Sequence, residues 1–309
     1  MVDFYWWNLE EVEGTQELEE LVKDSAYWVV TMLPWSLIEE RGISGVQKNP
    51  IQALRIDPEK SKRMRSDTIL REYWPQKIHI EWVEPDIDFP TFRDEVFRPV
   101  MDGIQVGEYA QAVPAFWSTG GISSEGNLPM QMLSRALSTA GTPHMNFTFF
   151  DGVNVHTAST PERLLECDDE WIVRSDPIAG TRRKPTKSTQ ADIKATLMDL
   201  AKDKKEKEEL SQLVSEVAKF LIKTCSWLGK LTWPSIIECW AVFHTLYNFV
   251  AKIDDKKLFF DLLRDLFPQP TVSGWPVNAA LFVITEIERK CWIDRGYYWG
   301  GFWIIQPNY

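Results

Sequence analysis

The chain has 309 residues, 44% apolar and 26% charged, with a formal net charge of −11. That is long and apolar enough for one large or two smaller folded domains, and it excludes a disordered chain. The acidic balance disfavours a nucleic-acid footprint, which needs basic stripes, and an anionic substrate would need a local metal or an Arg/Lys cluster.

The opening MVDFYWWNLEEVEG is acidic and lacks the basic n-region of a signal peptide. SAYWVVTML predicts a strand, DPEKSKRMRSD an exposed charged stretch and PDIDFPTF a Pro-rich entry to the next element. FRDEVFRPVMDGI predicts a helix on the spacing of Phe92, Val96 and Met101, closed by Gly103. LPMQMLSRALSTAG predicts a helix stopped by Gly141. HMNFTFFDGVNVHTAS predicts a hairpin turning around Asp151 and Gly152. EWIVRSDPIAGT predicts a strand followed by a glycine loop.

Residues 190–225 predict one long helix with Leu210, Leu213, Val214, Val217 and Leu221 in an apolar stripe. Its KDKKEKEE block reads as a solvated face. Residues 254–266 predict a second amphipathic helix, FPQPTVSGWP a loop, VNAALFVITEIERK a helix and GFWII a last strand. The longest apolar stretch, residues 239–250, is broken by His244 and Asn248 and is too short to span a bilayer, so no membrane contact is expected. Cys167, Cys225, Cys239 and Cys291 form no CxxC pair. A reduced, cytoplasmic setting without structural zinc is therefore expected. The 15 Trp residues argue for large packed layers or an aromatic-rich partner surface. Strand pairs alternating with long helices argue for a layered α+β fold.

Several segments, in this order, resemble the chorismate-utilising enzymes: GEYAQAV, STPERLL, DPIAGTRRK, DKKEKEELSQLV, VFHTLYNFV, and LFPQPTVSGWPVNAALFVITEIE running into RGYYWGG. That family includes anthranilate synthase component I and the aminodeoxychorismate, isochorismate and salicylate synthases. The resemblance covers residues 90–305. It implies a four-layer α/β/β/α sandwich with the site between two sheets. Residues 1–90 would be a shortened N-terminal portion, continuous with a chorismate-utilising domain over residues 91–309 that lacks the C-terminal part of the family domain.

Residue by residue, the resemblance makes Glu162 of STPERLL a general acid that helps the C4 hydroxyl leave. A carboxyl group does that only if its pKa is raised toward neutrality. Ala179 stands where aminodeoxychorismate synthases carry a nucleophilic Lys, which removes a covalent route. Gly180 and Thr181 would approach the substrate. Gln111 holds a position at which enzymes adding water at C2 tend to have Lys and enzymes adding ammonia tend to have Gln. His244 would face the substrate. Thr271, Ser273 and Gly274 would supply hydroxyl and backbone contacts, and Gly300 belongs to the motif leading into the last part of the site. Glu209 matches one of the family's Mg²⁺ ligands.

Departures are also visible. VPAFW replaces the Ser-Arg expected after GEYAQAV, and Leu210 replaces the His after Glu209. Ala218, Lys219 and Phe220 replace Arg-Asn-Asp, Trp275 a small residue, Val277 a Lys and Trp303 a Gly. On the residues alone, His244 also reads as a core residue and Glu162 as a surface carboxylate in a turn.

The resemblance therefore implies Mg²⁺-dependent amination of chorismate at C2, loss of the C4 hydroxyl and pyruvate elimination, as in anthranilate synthase. A separate glutamine amidotransferase subunit would supply the ammonia. Two alternatives stand beside it: an isochorismate or salicylate synthase-like reaction, and a lapsed homologue or fragment acting as a scaffold. The strand at residues 301–305 is expected to present an apolar edge on which a homo-oligomer could form.

Overall fold

The structure is a computed structural model. It describes residues 2–3, 9–23, 25–57, 59, 62–63, 65–73, 78–124, 126–139, 145–185, 189–230, 234–239, 241–255, 257–298 and 300–306. The chain divides into two compact units. One comprises Met1–Thr68, Lys77–Glu125 and Phe267–Tyr309, and the other Ile69–Gln76 and Gly126–Leu266.

The first unit is built on an antiparallel sheet in the order Gly301–Ile305, Trp28–Leu33, Ile51–Ile56, Leu9–Val12. Its second and third strands bury successive residues without alternation. Val29, Val30, Met32 and Leu33 are buried, as are Ile51, Ala53, Leu54 and Ile56, which marks strands covered on both faces. The predicted strands at SAYWVVTML and GFWII are both present and pair with each other, Gly301 opposite Leu33 and Ile305 opposite Val29. A second, smaller core joins Val96, Val100, Tyr109 and Ile287. The helix around Met101 does not close at Gly103. It runs Arg98–Val106 and stops at Gly107, whose left-handed φ of 79° and N–H bond to Gly103 O make the cap. Gly103 lies inside the helix, beneath the Tyr109 ring.

The second unit carries the expected hairpin, Met145–Phe150 against Val155–Thr160, with helix Leu128–Thr139 packed on it. The proposed stop at Gly141 lies outside the described residues. A four-stranded sheet follows the order Arg163–Cys167, Ile172–Asp176, Phe249–Lys252, Trp227–Leu228. A three-stranded sheet follows the order Ile178–Arg183, Val242–Leu246, Ser235–Cys239. The PIAGT segment is thus a strand rather than a loop: its glycine sits in a bulge between Ala179 and Thr181, and pairing resumes beyond it.

Residues 190–225 form two helices instead of one, Gln190–Lys202 and Lys204–Thr224. The break is Asp203. Its backbone is extended (φ −60°, ψ 125°), and its carboxylate accepts the Glu206 N–H at 3.0 Å as an N-cap. The predicted stripe holds for Leu210, Leu213, Val217 and Leu221, which are buried; Val214 is half-buried. Among the described residues no helix is long and apolar enough to cross a membrane.

Candidate functional site

Five of the residues singled out in the sequence lie close together along the second unit's strands. Glu162 ends the turn after the hairpin, where its N–H donates to Thr160 Oγ1 at 3.2 Å. Its carboxylate Oε1 accepts the Ile178 N–H at 3.2 Å, which brings it to the start of the Ile178–Arg183 strand. Ala179 follows, buried, opposite Thr245. Gly180 adopts φ 84°, and a Cβ there would sit 3.2 Å from Glu206 Oε2 and 3.4 Å from Thr245 Oγ1. Both the left-handed backbone and the crowding therefore call for glycine. Thr181 opposes His244, and Thr181 Oγ1 lies 2.9 Å from His244 Nδ1.

Burial holds His244 below its ordinary pKa of 6.5, and a hydrogen bond to the Gly180 backbone pulls the other way. A histidine depressed in the folded state binds fewer protons there than in the unfolded chain. The stability it contributes is present above about pH 6.5 and is lost as pH falls through the folded value. Melting temperatures measured from pH 8 to pH 5 are expected to fall less steeply in His244→Asn than in the parent. An identical slope contradicts the assignment. His156, also depressed by burial, contributes to the slope that remains.

The KDKKEKEE block is only partly a solvated face. Lys204 and Lys205 are exposed, whereas Asp203, Glu206 and Glu209 are not, and Glu206 is the most enclosed. Its side chain is 11% exposed, Oε2 accepts the Thr181 N–H at 3.2 Å, and Oε1 accepts from Arg182 Nη1 at 2.9 Å. Arg182 also pairs with Asp199 at 2.8 Å and with Asp203, so one carboxylate from each helix and one from the break between them hold this end of the strand. Glu206 was not singled out from the sequence. Its signal was the Asp203-x-x-Glu206 capping pattern. Glu209, one turn on, is half-buried and pairs with Lys205 at 3.4 Å.

Neither of two half-buried thiols in this unit is poised as a nucleophile. Burial raises Cys167 to about 12 and Cys225 to about 11, so both are protonated at neutral pH.

The remaining predicted residues belong to the first unit. Gln111 and Ala112 form a short strand against Gly274 and Trp275, with Gln111 opposite Trp275. Ala110 N donates to Trp275 O at 2.8 Å and Val113 N to Ser273 O at 3.0 Å, which extends the pairing on both sides. A Cβ on Gly274 would lie 2.2 Å from Gln111 O, so this contact itself demands the glycine. The Ser273 hydroxyl is buried and donates back to Gln269 O at 2.8 Å, at the start of the short helix Pro270–Ser273. Thr271 on the same helix is half-buried. Gly300 packs its Cα against Leu33 O. Of the bulky replacements, Trp303 and Val277 are buried and Trp275 is half-buried.

A family model described as chorismate binding enzyme matches residues 39–309. The chain belongs to the chorismate-binding enzyme family. Among its curated relatives in this family, the phenazine-specific anthranilate synthase of Pseudomonas chlororaphis is 26% identical over 88% of the chain and 41% of the relative. The anthranilate synthase component 1 of Cereibacter sphaeroides is 34% identical over 67% of the chain and 40% of the relative. The vibriobactin-specific isochorismate synthase of Vibrio cholerae is 28% identical over 58% of the chain and 44% of the relative. The chain thus spans about two fifths of the length of the curated relatives it matches.

Two solved structures share the fold. A chain described as a 2,3-dihydroxybenzoate-specific isochorismate synthase from Bacillus anthracis superposes with a TM-score of 0.72 at 18% identity, covering 97% of this chain and 78% of that one. The menaquinone-specific isochorismate synthase of Escherichia coli gives a TM-score of 0.71 at 15% identity, covering 97% and 72%. The α+β chorismate-utilising fold expected from the sequence is therefore borne out.

Proposed function

We propose that this chorismate-binding family member carries out, or forms part of a protein that carries out, amination of chorismate at C2. The observation that carries the reading is the grouping of Glu162, Ala179, Gly180, Thr181 and His244 on adjoining backbone of one unit, through the Glu162–Ile178 and Thr181–His244 contacts. In this reading Glu162 donates the proton with which the C4 hydroxyl leaves as water. Ala179 offers no nitrogen, so no covalent adduct forms and ammonia attacks C2 directly. Gln111 supports ammonia over water as nucleophile, because an amide does not serve as a base. Pyruvate elimination then aromatises the ring.

Thr181 and His244 orient each other, and the depressed His244 pKa keeps the imidazole neutral at working pH. Such a ring can accept or donate one hydrogen bond to the substrate without bringing a charge. In the Thr271–Gly274 segment the Ser273 hydroxyl hydrogen is committed to Gln269 O and does not serve as a donor to substrate.

Mg²⁺ needs only one or two protein carboxylates when substrate oxygens and waters complete its shell. Glu209, paired with the exposed Lys205 at 3.4 Å, would be one donor, whereas the more enclosed Glu206 is held by Thr181 and Arg182. The ion would supply positive charge against the substrate carboxylate. A glutamine amidotransferase partner would supply ammonia, and the cytoplasm suits both.

Binding tests the reading without turnover. Chorismate at saturating concentration with Mg²⁺ is expected to raise the melting temperature, since a ligand at about 100 times its Kd adds about 2.7 kcal/mol to the folded state. No rise at any chorismate concentration would favour the lapsed-homologue alternative.

A further inference from the structure

Glu288 and Arg295 form a buried ion pair in the first unit, with side chains 6% and 0% exposed. Arg295 Nε and Nη2 both donate to Glu288 Oε1, at 2.8 and 2.6 Å. The guanidinium lies on the Trp35 ring, 4.1 Å from its centroid. A buried pair of this kind seldom adds stability over an apolar replacement. Its use here lies in what else it touches. Arg295 Nη2 donates to Val113 O at 2.6 Å and Nη1 to Val272 O at 3.4 Å, while Glu288 Oε1 accepts the Ala115 N–H at 3.1 Å. One planar fork therefore grips the backbone just after Gln111 and the backbone just before Ser273. These are the two segments whose pairing sets Gln111 against Trp275.

We propose that the Arg295–Glu288 pair is a positioning device that fixes the Gln111 strand against the Thr271–Gly274 segment. Its consequence for catalysis rests on the reading of Gln111 given above, whereas its structural content does not. A lysine keeps the charge but has no planar fork, so it cannot hold Glu288 and both carbonyls together.

Hydrogen exchange of the backbone amides in Arg295→Lys and Glu288→Gln tests this. The amides of Val113 and Ala115 are expected to exchange roughly tenfold faster or more, while those of Val30 and Leu54 in the central sheet stay within about threefold of the parent. Local loss of protection in either variant supports the proposal. Unchanged exchange at 113 and 115 in both, or a uniform loss across the unit in both, overturns it. In a parent chain that turns over chorismate, Arg295→Lys is further expected to raise the ammonium concentration for half-maximal rate. A parent without turnover defeats the functional reading but leaves the exchange result standing.

Discussion

Gly300→Ala is expected to be among the most destabilising one-carbon changes in the first unit, costing about 3–5 kcal/mol. The added methyl would start 1.8 Å from Leu33 O and 3.0 Å from both Leu33 C and Tyr297 O. All three are backbone atoms, so no side-chain rotation relieves the clash. The chain must instead shift where the last strand meets Trp28–Leu33, and that pairing runs from Gly301 opposite Leu33 to Ile305 opposite Val29. Because the chain has two compact units, thermal unfolding should be followed by a probe of the first unit. A loss below about 1 kcal/mol, the scale of an ordinary surface change, contradicts this account. Gly300 thus has a sufficient reason to be glycine in the fold itself, whatever it does for substrate.

Glu162→Gln is expected to lower the rate of chorismate consumption about 10²–10⁴-fold, the usual contribution of a general acid. That is about 3–5 kcal/mol of transition-state stabilisation. The substitution discriminates because glutamine retains an oxygen where Oε1 accepts the Ile178 N–H, so the strand start should hold. What it removes is the transferable proton. Folding within about 2 °C of the parent, with chorismate binding kept and turnover lost, is the expected pattern. Turnover within a few-fold of the parent would remove Glu162 from the chemistry.

Much of this was legible in the sequence because it depended on local pattern. The hairpin at 145–160 carried its Asp-Gly turn, the helix at 277–290 its periodicity, and the strand at 28–33 its β-branched and aromatic run. The misses have two causes, a local cap passed over and partners distant in the chain. Reading 190–225 as one helix followed the apolar stripe and passed over Asp203, whose capping of Glu206 ends one helix and begins another. The same oversight hid Glu206, because a carboxylate in a Lys/Glu run looks solvated until the strand it contacts is placed beside it. Reading PIAGT as a loop followed its glycine, which is instead a bulge in a paired strand. The roles of Glu288 and Arg295 depend on segments about 180 residues away in the chain, and no window over the sequence contains both partners.

The central claim is that this chain's Glu162–Thr181–His244 grouping serves chorismate amination. The most direct measurement is fluorescence of the purified chain incubated with chorismate, Mg²⁺ and an ammonium salt at alkaline pH, with products separated afterwards. Anthranilate and pyruvate in equal amounts, dependent on ammonium, are the predicted result. Isochorismate as the product would contradict the inference from Gln111, and no consumption of chorismate would contradict the claim as a whole.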